Sequence, residues 1–205
     1  MGTWFPKVYD AAMKPLEEIS FKKIRIDLVK KAEGRVLEIG SGTGINFPYY
    51  KNALRVDAIE PNPSMSKRAE ERLRSAQVPI QVHESCAESL PFADDTFDTV
   101  VATLVFCTIP EPMKALAEIR RVSKPGARLL FFEHVRMEPV LLSKTQDLLN
   151  PLWEKICDGC QLNRDTLDLI KKSGIEVAKV EEYYAKLFLY IEGKNGTIER
   201  KSHDE

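Results

Sequence analysis

No stretch of the 205 residues stays apolar for the roughly 20 positions a bilayer span requires, and the opening MGTWFPKVYD lacks the unbroken apolar core of a secretory signal. The expected compartment is the cytoplasm, with no membrane span. An excess of charge is also missing: 30 lysines and arginines stand against 31 acids. Without a net field or a basic run to hold a polyanion, nucleic acid is not an expected partner. Cysteine is scarce, and four in a chain without a signal read as free thiols rather than a disulfide framework. Cys157 and Cys160 form one C-x-x-C, but no second pair and no histidine at ligand spacing accompanies them. A structural thiol pair is expected there, and no metal. Internal repeats, low-complexity tracts and composition shifts are absent, so residues 1–205 are expected to form a single domain.

What is present is an alternation. Apolar runs of strand length recur at Val36–Ile39, Leu54–Ile59, Ile80–Val82, Thr99–Val105, Arg128–Phe132, Ile175–Val180 and Leu187–Ile191. Between them Ser64–Ser75 and Pro112–Ser123 carry helical periodicity, the latter with Met113, Leu116 and Ile119 on one face. This pattern predicts an α/β fold, a parallel sheet with crossover helices. Two segments stand outside it. Trp4–Lys31 precedes the first strand and is predicted mostly helical, with Phe21, Ile24 and Leu28 at helical spacing, so that residues 1–33 form an N-terminal cap. Arg136–Asp165 carries an apolar stripe of Leu148, Leu149, Leu152, Trp153 and Ile156, interrupted by Pro151. Ligands of open parallel sheets sit beyond the carboxyl ends of the strands, so residues 136–165 are the expected substrate lid. Residues 34–135 are then the cofactor-binding half and 166–205 the last strands and a polar tail, in which Asn195-Gly196 reads as a turn.

The run VLEIGSGTGINF ends the first strand in glycines. Gly40, Gly42 and Gly44 are spaced G-x-G-x-G, not the G-x-G-x-x-G of a dinucleotide loop, and Glu38 stands just before them. Asn46, Phe47 and Pro48 intrude where a pyrophosphate site would run straight into a helix. A ligand with an amino group and a carboxylate but no phosphate fits better, with Glu38 near the ammonium. Glu60 ends the second strand, where an acid can accept hydrogen bonds from both hydroxyls of a ribose. The ligand these features describe is S-adenosyl-L-methionine.

The segments VLEIGSGTG, AIEPNPSM, AESLPFADDTFD and RRVSKPGARLLFFEHV together resemble class I S-adenosylmethionine-dependent methyltransferases, in the branch of the quinone C-methyltransferases, over Val36–Val135. More narrowly, LVFCTIPEP, FEHV and WEKICDGCQLNRDT are similar to methyltransferase-like thiol S-methyltransferases, and VYDAAMKPLEE is similar to bacterial phospholipid N-methyltransferases. The resemblance implies a Rossmann-like sheet of seven strands, mostly parallel with one antiparallel, and helices on both faces. It places Glu38, Gly40, Gly42 and Gly44 around the methionine part, Glu60 at the ribose, and Pro61 and Asn62 beside the adenine. Cys86 and Ala87 occupy the turn where the family usually has an aspartate for the adenine amino group. A cysteine accepts poorly, so backbone there or Glu88 is left to recognise adenine. Thr103 and Leu104 are expected to line the approach to the methyl group.

The sulfonium is a strong electrophile, so an acceptor needs chiefly an in-line approach and a free lone pair. A dry pocket with aromatic faces suits that transfer, and Trp4, Phe5 and Tyr9 are candidates for such faces. Thr103-Leu104-Val105-Phe106 stands where enzymes that methylate planar amino groups carry an Asn-Pro-Pro-Tyr turn. The expected partner is therefore a small, fairly hydrophobic acceptor: a thiol, a quinone precursor or a lipid amine. A thiol or an activated carbon needs a base, and His134 and Asp158 are the catalytic candidates. Lys22, Lys23, Arg25, Lys30 and Lys31 offer either peripheral contact with anionic lipid or simply a solvated helix face. The alternative to an enzyme is a non-catalytic or regulatory protein that binds the same cofactor. The oligomeric state is not legible.

Overall fold

The computed structural model describes residues 20–196. Trp4, Phe5, Tyr9 and the VYDAAMKPLEE segment lie outside the described residues. The chain runs α1 (Lys22–Val29), β1 (Gly34–Ile39), a 3-10 turn (Phe47–Tyr49), β2 (Ala53–Ile59), α2 (Pro63–Arg74), β3 (Ile80–His83) and β4 (Phe97–Thr103). It continues through α3 (Pro112–Val122), β5 (Ser123–His134), α4 (Val140–Ile156), α5 (Thr166–Lys172), β6 (Ile175–Tyr183) and β7 (Phe188–Asn195). All seven expected strands are present, in the order β3-β2-β1-β4-β5-β7-β6. Only β7 runs against its neighbours, pairing antiparallel with β5 and β6.

Strands buried on both faces read as continuous apolar runs, because alternate side chains enter opposite layers. In β5, Leu129 and Phe131 join a core layer with Leu116 and Ile119 of α3. Leu130 and Phe132 enter the other layer, with Phe21 and with Leu28 and Val29 of α1. The stripe Phe21, Ile24 and Leu28 is buried as expected, whereas Met113 is exposed in the first turn of α3. The entry to α2 is fixed locally: Asn62 Oδ1 accepts from the Ser64 N–H at 3.0 Å, and Pro63 occupies the first helical position.

Three local expectations differ from the structure. The fourth strand stops at Thr103 rather than Val105, because Leu104 takes a left-handed φ of 54° and the Val105 N–H turns to a side chain instead of the ladder. Gly193–Asn195 is paired strand rather than tail and turn. The Asn195 amide explains this by donating to the Arg120 and Ser123 carbonyls at 2.9 Å. In α4 the apolar stripe faces outward: Leu148 is 80% exposed and Leu152 61%, while the buried positions are the polar Ser143 and Gln146. Gln146 anchors the helix by accepting from the Met137 N–H at 2.8 Å and donating to the Leu162 and Val135 carbonyls at 3.0 and 3.2 Å. No helix among the described residues is long and apolar enough to cross a membrane.

Candidate active site

The strand order reverses between β1 and β4, and loops leaving adjacent strands in opposite directions open a crevice there. A cavity of about 440 Å³ fills it. Glycine is required at three places in the loop after β1, and two of them face the crevice. Gly40 has φ +61°, and a Cβ there would meet Val105 Cγ2 at 2.2 Å. Gly42 has φ +56° and nothing within 4 Å of where a Cβ would point, so its backbone is open to a ligand. Glu60 ties the loop to β2, accepting from the Gly42 and Asn62 N–H groups at 2.9 Å each.

Glu38 ends β1 inside a polar network. Asn46 Nδ2 donates to Glu38 Oε1 at 2.8 Å, and Arg25 donates to Asn46 Oδ1 at 2.9 Å and Thr103 Oγ1 at 2.8 Å. Arg25 is only 3% exposed, so it belongs to the site and not to a solvated or lipid-facing helix surface. Glu38 Oε2 is buried beside the equally buried Tyr50 hydroxyl, and neither atom makes a short hydrogen bond among the described residues. Burial pushes the Glu38 carboxyl up to about 7, against the lowering effect of Asn46, Tyr50 and Arg25. A buried carboxylate with one oxygen in no short hydrogen bond, beside glycine backbone with open space before it, fits the ammonium end of S-adenosylmethionine.

On the β5 side the wall is built from sulfur, imidazole and rings. Glu133, fully buried, accepts from the N–H groups of Val105 at 3.0 Å and Phe106 at 3.2 Å, which fixes the loop after β4. That loop carries Cys107. His134 Nε2 lies 3.3 Å from Cys160 Sγ, and ligand atoms of Cys107, His134 and Cys160 all fall within 4.8 Å of one another. Hydrogen bonding to Cys107, then to His134, holds the Cys160 thiol far below its ordinary range, and Cys107 is correspondingly raised. Burial lowers His134, but the hydrogen bond and charge of Cys160 outweigh it and the net shift is upward. The C-x-x-C segment is held against this wall from both sides. The Gln161 N–H donates to the Cys107 carbonyl at 3.0 Å, and Arg164 donates to the carbonyls of Phe106 and Ile109.

Of the residues expected from sequence, Glu38, Gly40, Gly42, Glu60, Asn62, Thr103, Leu104, His134 and Asp158 line the cavity. Burial raises the Glu60 carboxyl, and Asp158 sits near enough on the same side for its charge to add to that rise. Gly44, Pro61, Cys86, Ala87 and Glu88 are not part of the lining. A Cβ on Gly44 would meet the Phe47 ring at 2.7 Å, so that glycine serves loop packing. Pro61 and Cys86 are exposed, Ala87 is in the core, and Glu88 accepts from the Glu111 N–H at 3.3 Å. Sequence reasoning missed Arg25, Asn46, Glu133 and Cys107. Only Asn46 left a signal, as the polar residue intruding after the glycines.

The fold and the cavity define an α/β protein with a ligand crevice at its switch point, and comparison with known proteins gives the family. A model described as a methyltransferase domain matches residues 37–131. Thiol S-methyltransferase TMT1B of Rattus norvegicus is 35% identical over 204 residues, covering 88% of this chain and 82% of that one. Phosphatidylethanolamine N-methyltransferase of Cereibacter sphaeroides is 36% identical over 103 residues, 49% of this chain and 51% of that one. The crystal structure of a SAM-dependent methyltransferase from Aquifex aeolicus superposes with a TM-score of 0.69 at 21% identity, over 95% of this chain and 98% of that one. The chain belongs to the class I S-adenosylmethionine-dependent methyltransferases, and S-adenosylmethionine is its methyl donor.

Proposed function

We propose that this methyltransferase acts on the sulfur of a small, apolar thiol. The observation that carries the reading is the Cys107–His134–Cys160 cluster in the wall of the cofactor cavity. A thiol is a good nucleophile only after it loses its proton, and this cluster is the part of the cavity with the chemistry to promote that loss. An amine that arrives neutral has no such need. The name of the rat relative, aligned over 88% of the chain, points the same way. Glu38, Gly40 and Gly42 hold the methionine part of the donor, Glu60 the ribose, Asn62 flanks the adenine, and Thr103 and Leu104 border the methyl group. When bound, the donor supplies an electrophilic methyl group. Asp158 lines the same cavity, close enough to Glu60 to feel its charge. Trp153 and Phe188 complete a mostly apolar acceptor space.

The test is methylation of alkyl thiols of increasing length with isotope-labelled donor. S-methyl products should form, with rates rising with chain length, and His134→Ala should lower kcat/KM for thiol by ~10²-fold while donor affinity stays within about twofold. Absence of S-methyl product from protein that binds the donor contradicts the reading.

A further inference from the structure

The geometry points to a binding site for a thiophilic divalent cation, zinc in character, formed by Cys107 Sγ, His134 Nε2 and Cys160 Sγ and opening into the acceptor cavity. Tetrahedral zinc places its sulfur and nitrogen ligands at about 2.3 and 2.0–2.1 Å, so neighbouring ligand atoms stand about 3.5–3.8 Å apart. The three atoms here already lie within 4.8 Å of one another, with His134 Nε2 3.3 Å from Cys160 Sγ, before any cation draws them together. They arrive from three separate parts of the fold: the loop after β4, the end of β5 and the C-x-x-C segment. That convergence is held by backbone contacts, through Glu133 on one loop and through Gln161 and Arg164 on the other. Cys157 is not in the group, so the C-x-x-C contributes one ligand, and spacing within the sequence could not reveal the set.

Charge balances without help from solvent. Two protons leave the cluster on binding, and two thiolates with a neutral imidazole offset the divalent ion. Two cysteines and one histidine with nothing in the fourth place are the donor set of a catalytic zinc site, whereas structural sites are closed. All three ligands line the cavity, and among the described residues no fourth histidine, cysteine or carboxylate joins them. Resting on the thiol reading above, the fourth position is assigned to the acceptor: the cation–sulfur bond forms as its S–H bond breaks, and the proton goes to solvent. The cation thereby holds a thiolate at neutral pH beside the donor.

The experiment uses full-length protein, reduced and freed of metal by chelation, titrated with Co²⁺ alone. One equivalent should give thiolate-to-cobalt charge-transfer absorption and tetrahedral d–d bands, which Zn²⁺ removes. Cys160→Ser and His134→Ala should weaken Co²⁺ binding at least 10-fold, Cys157→Ser should not, and calorimetry with donor shows that each variant is folded. Adding an alkyl thiol should shift the d–d bands, and a hydroquinone should leave them unchanged. Failure to bind Co²⁺ by protein that binds donor overturns the site, as does equal binding by Cys160→Ser. Bands unmoved by thiol overturn the assignment of the fourth position. S-methylation at full rate by metal-free protein overturns the cation while leaving the thiol reading intact, and stoichiometric Co²⁺ without any S-methylation does the reverse.

Discussion

Glu38 has one oxygen held by Asn46 and the other buried beside the Tyr50 hydroxyl without a short hydrogen bond, an arrangement that weakens the protein when the carboxyl is charged. A carboxyl raised from 4.5 to about 7 favours the folded state most below its ordinary range, and that contribution is lost as pH rises through 7. Linkage puts the loss at about 3 kcal/mol. Thermal melts of donor-free protein should therefore show the wild type falling relative to Glu38→Gln between pH 5 and pH 8, and the donor-induced rise in Tm growing over the same range. A difference between the two proteins that is flat with pH contradicts this role. The same substitution removes the charge opposite the ammonium and should weaken donor binding by ~10–100-fold in calorimetry, an exchange of about 1.5–3 kcal/mol. Gly40→Ala is expected to abolish donor binding, since its φ and the 2.2 Å approach of Val105 leave no place for a Cβ. Binding within threefold of wild type would show that the loop can rearrange. Glu38 and Glu60 were legible from sequence because a strand end followed by a turn has one place to put a side chain. Arg25 was not, and Asn46 only as an intruder after the glycines, because their pairing depends on how α1 meets a loop 21 residues away.

Among the elements, α4 departs furthest from its sequence pattern. Its apolar stripe lies in the expected substrate lid, and of that stripe Trp153 reaches the cavity while Leu148 and Leu152 point outward. The periodicity located the stripe correctly and said nothing of its direction, which is set by the three hydrogen bonds of Gln146 to backbone. Gln146→Leu should destabilise residues 136–165 locally by about 1–3 kcal/mol, leaving unpaired carbonyls at Val135 and Leu162. Hydrogen exchange should show the loss confined to α4 and the C-x-x-C segment, with β1–β5 still protected. Protection unchanged throughout would mean that the outward leucines, not Gln146, fix the helix. The inner strands, by contrast, were read almost completely, because burial on both faces leaves apolar runs that cannot slip in register without exposing them. Their ends were misread where a carboxylate, Glu133, took the N–H groups that would have continued the β4 ladder.

For the whole molecule, the sheet brings two chemically different walls to one crevice: acids and glycine backbone from β1 and β2, sulfur and imidazole from β4, β5 and the segment after α4. The first wall was visible in the sequence as contiguous motifs. The second was not, since Cys107, His134 and Cys160 become neighbours only once β4 lies beside β5 and α4 has folded back. If the cavity of about 440 Å³ takes donor and acceptor together, as proposed, the acceptor is small. The most direct measurement is a competition in one vessel: isotope-labelled S-adenosylmethionine with an alkyl thiol, phosphatidylethanolamine vesicles and a hydroquinone, products resolved by mass spectrometry. Label should accumulate in the thioether, at least tenfold over the other two. Label in the lipid amine or the quinol, with none on sulfur, would contradict the assignment of the second wall to a thiol acceptor.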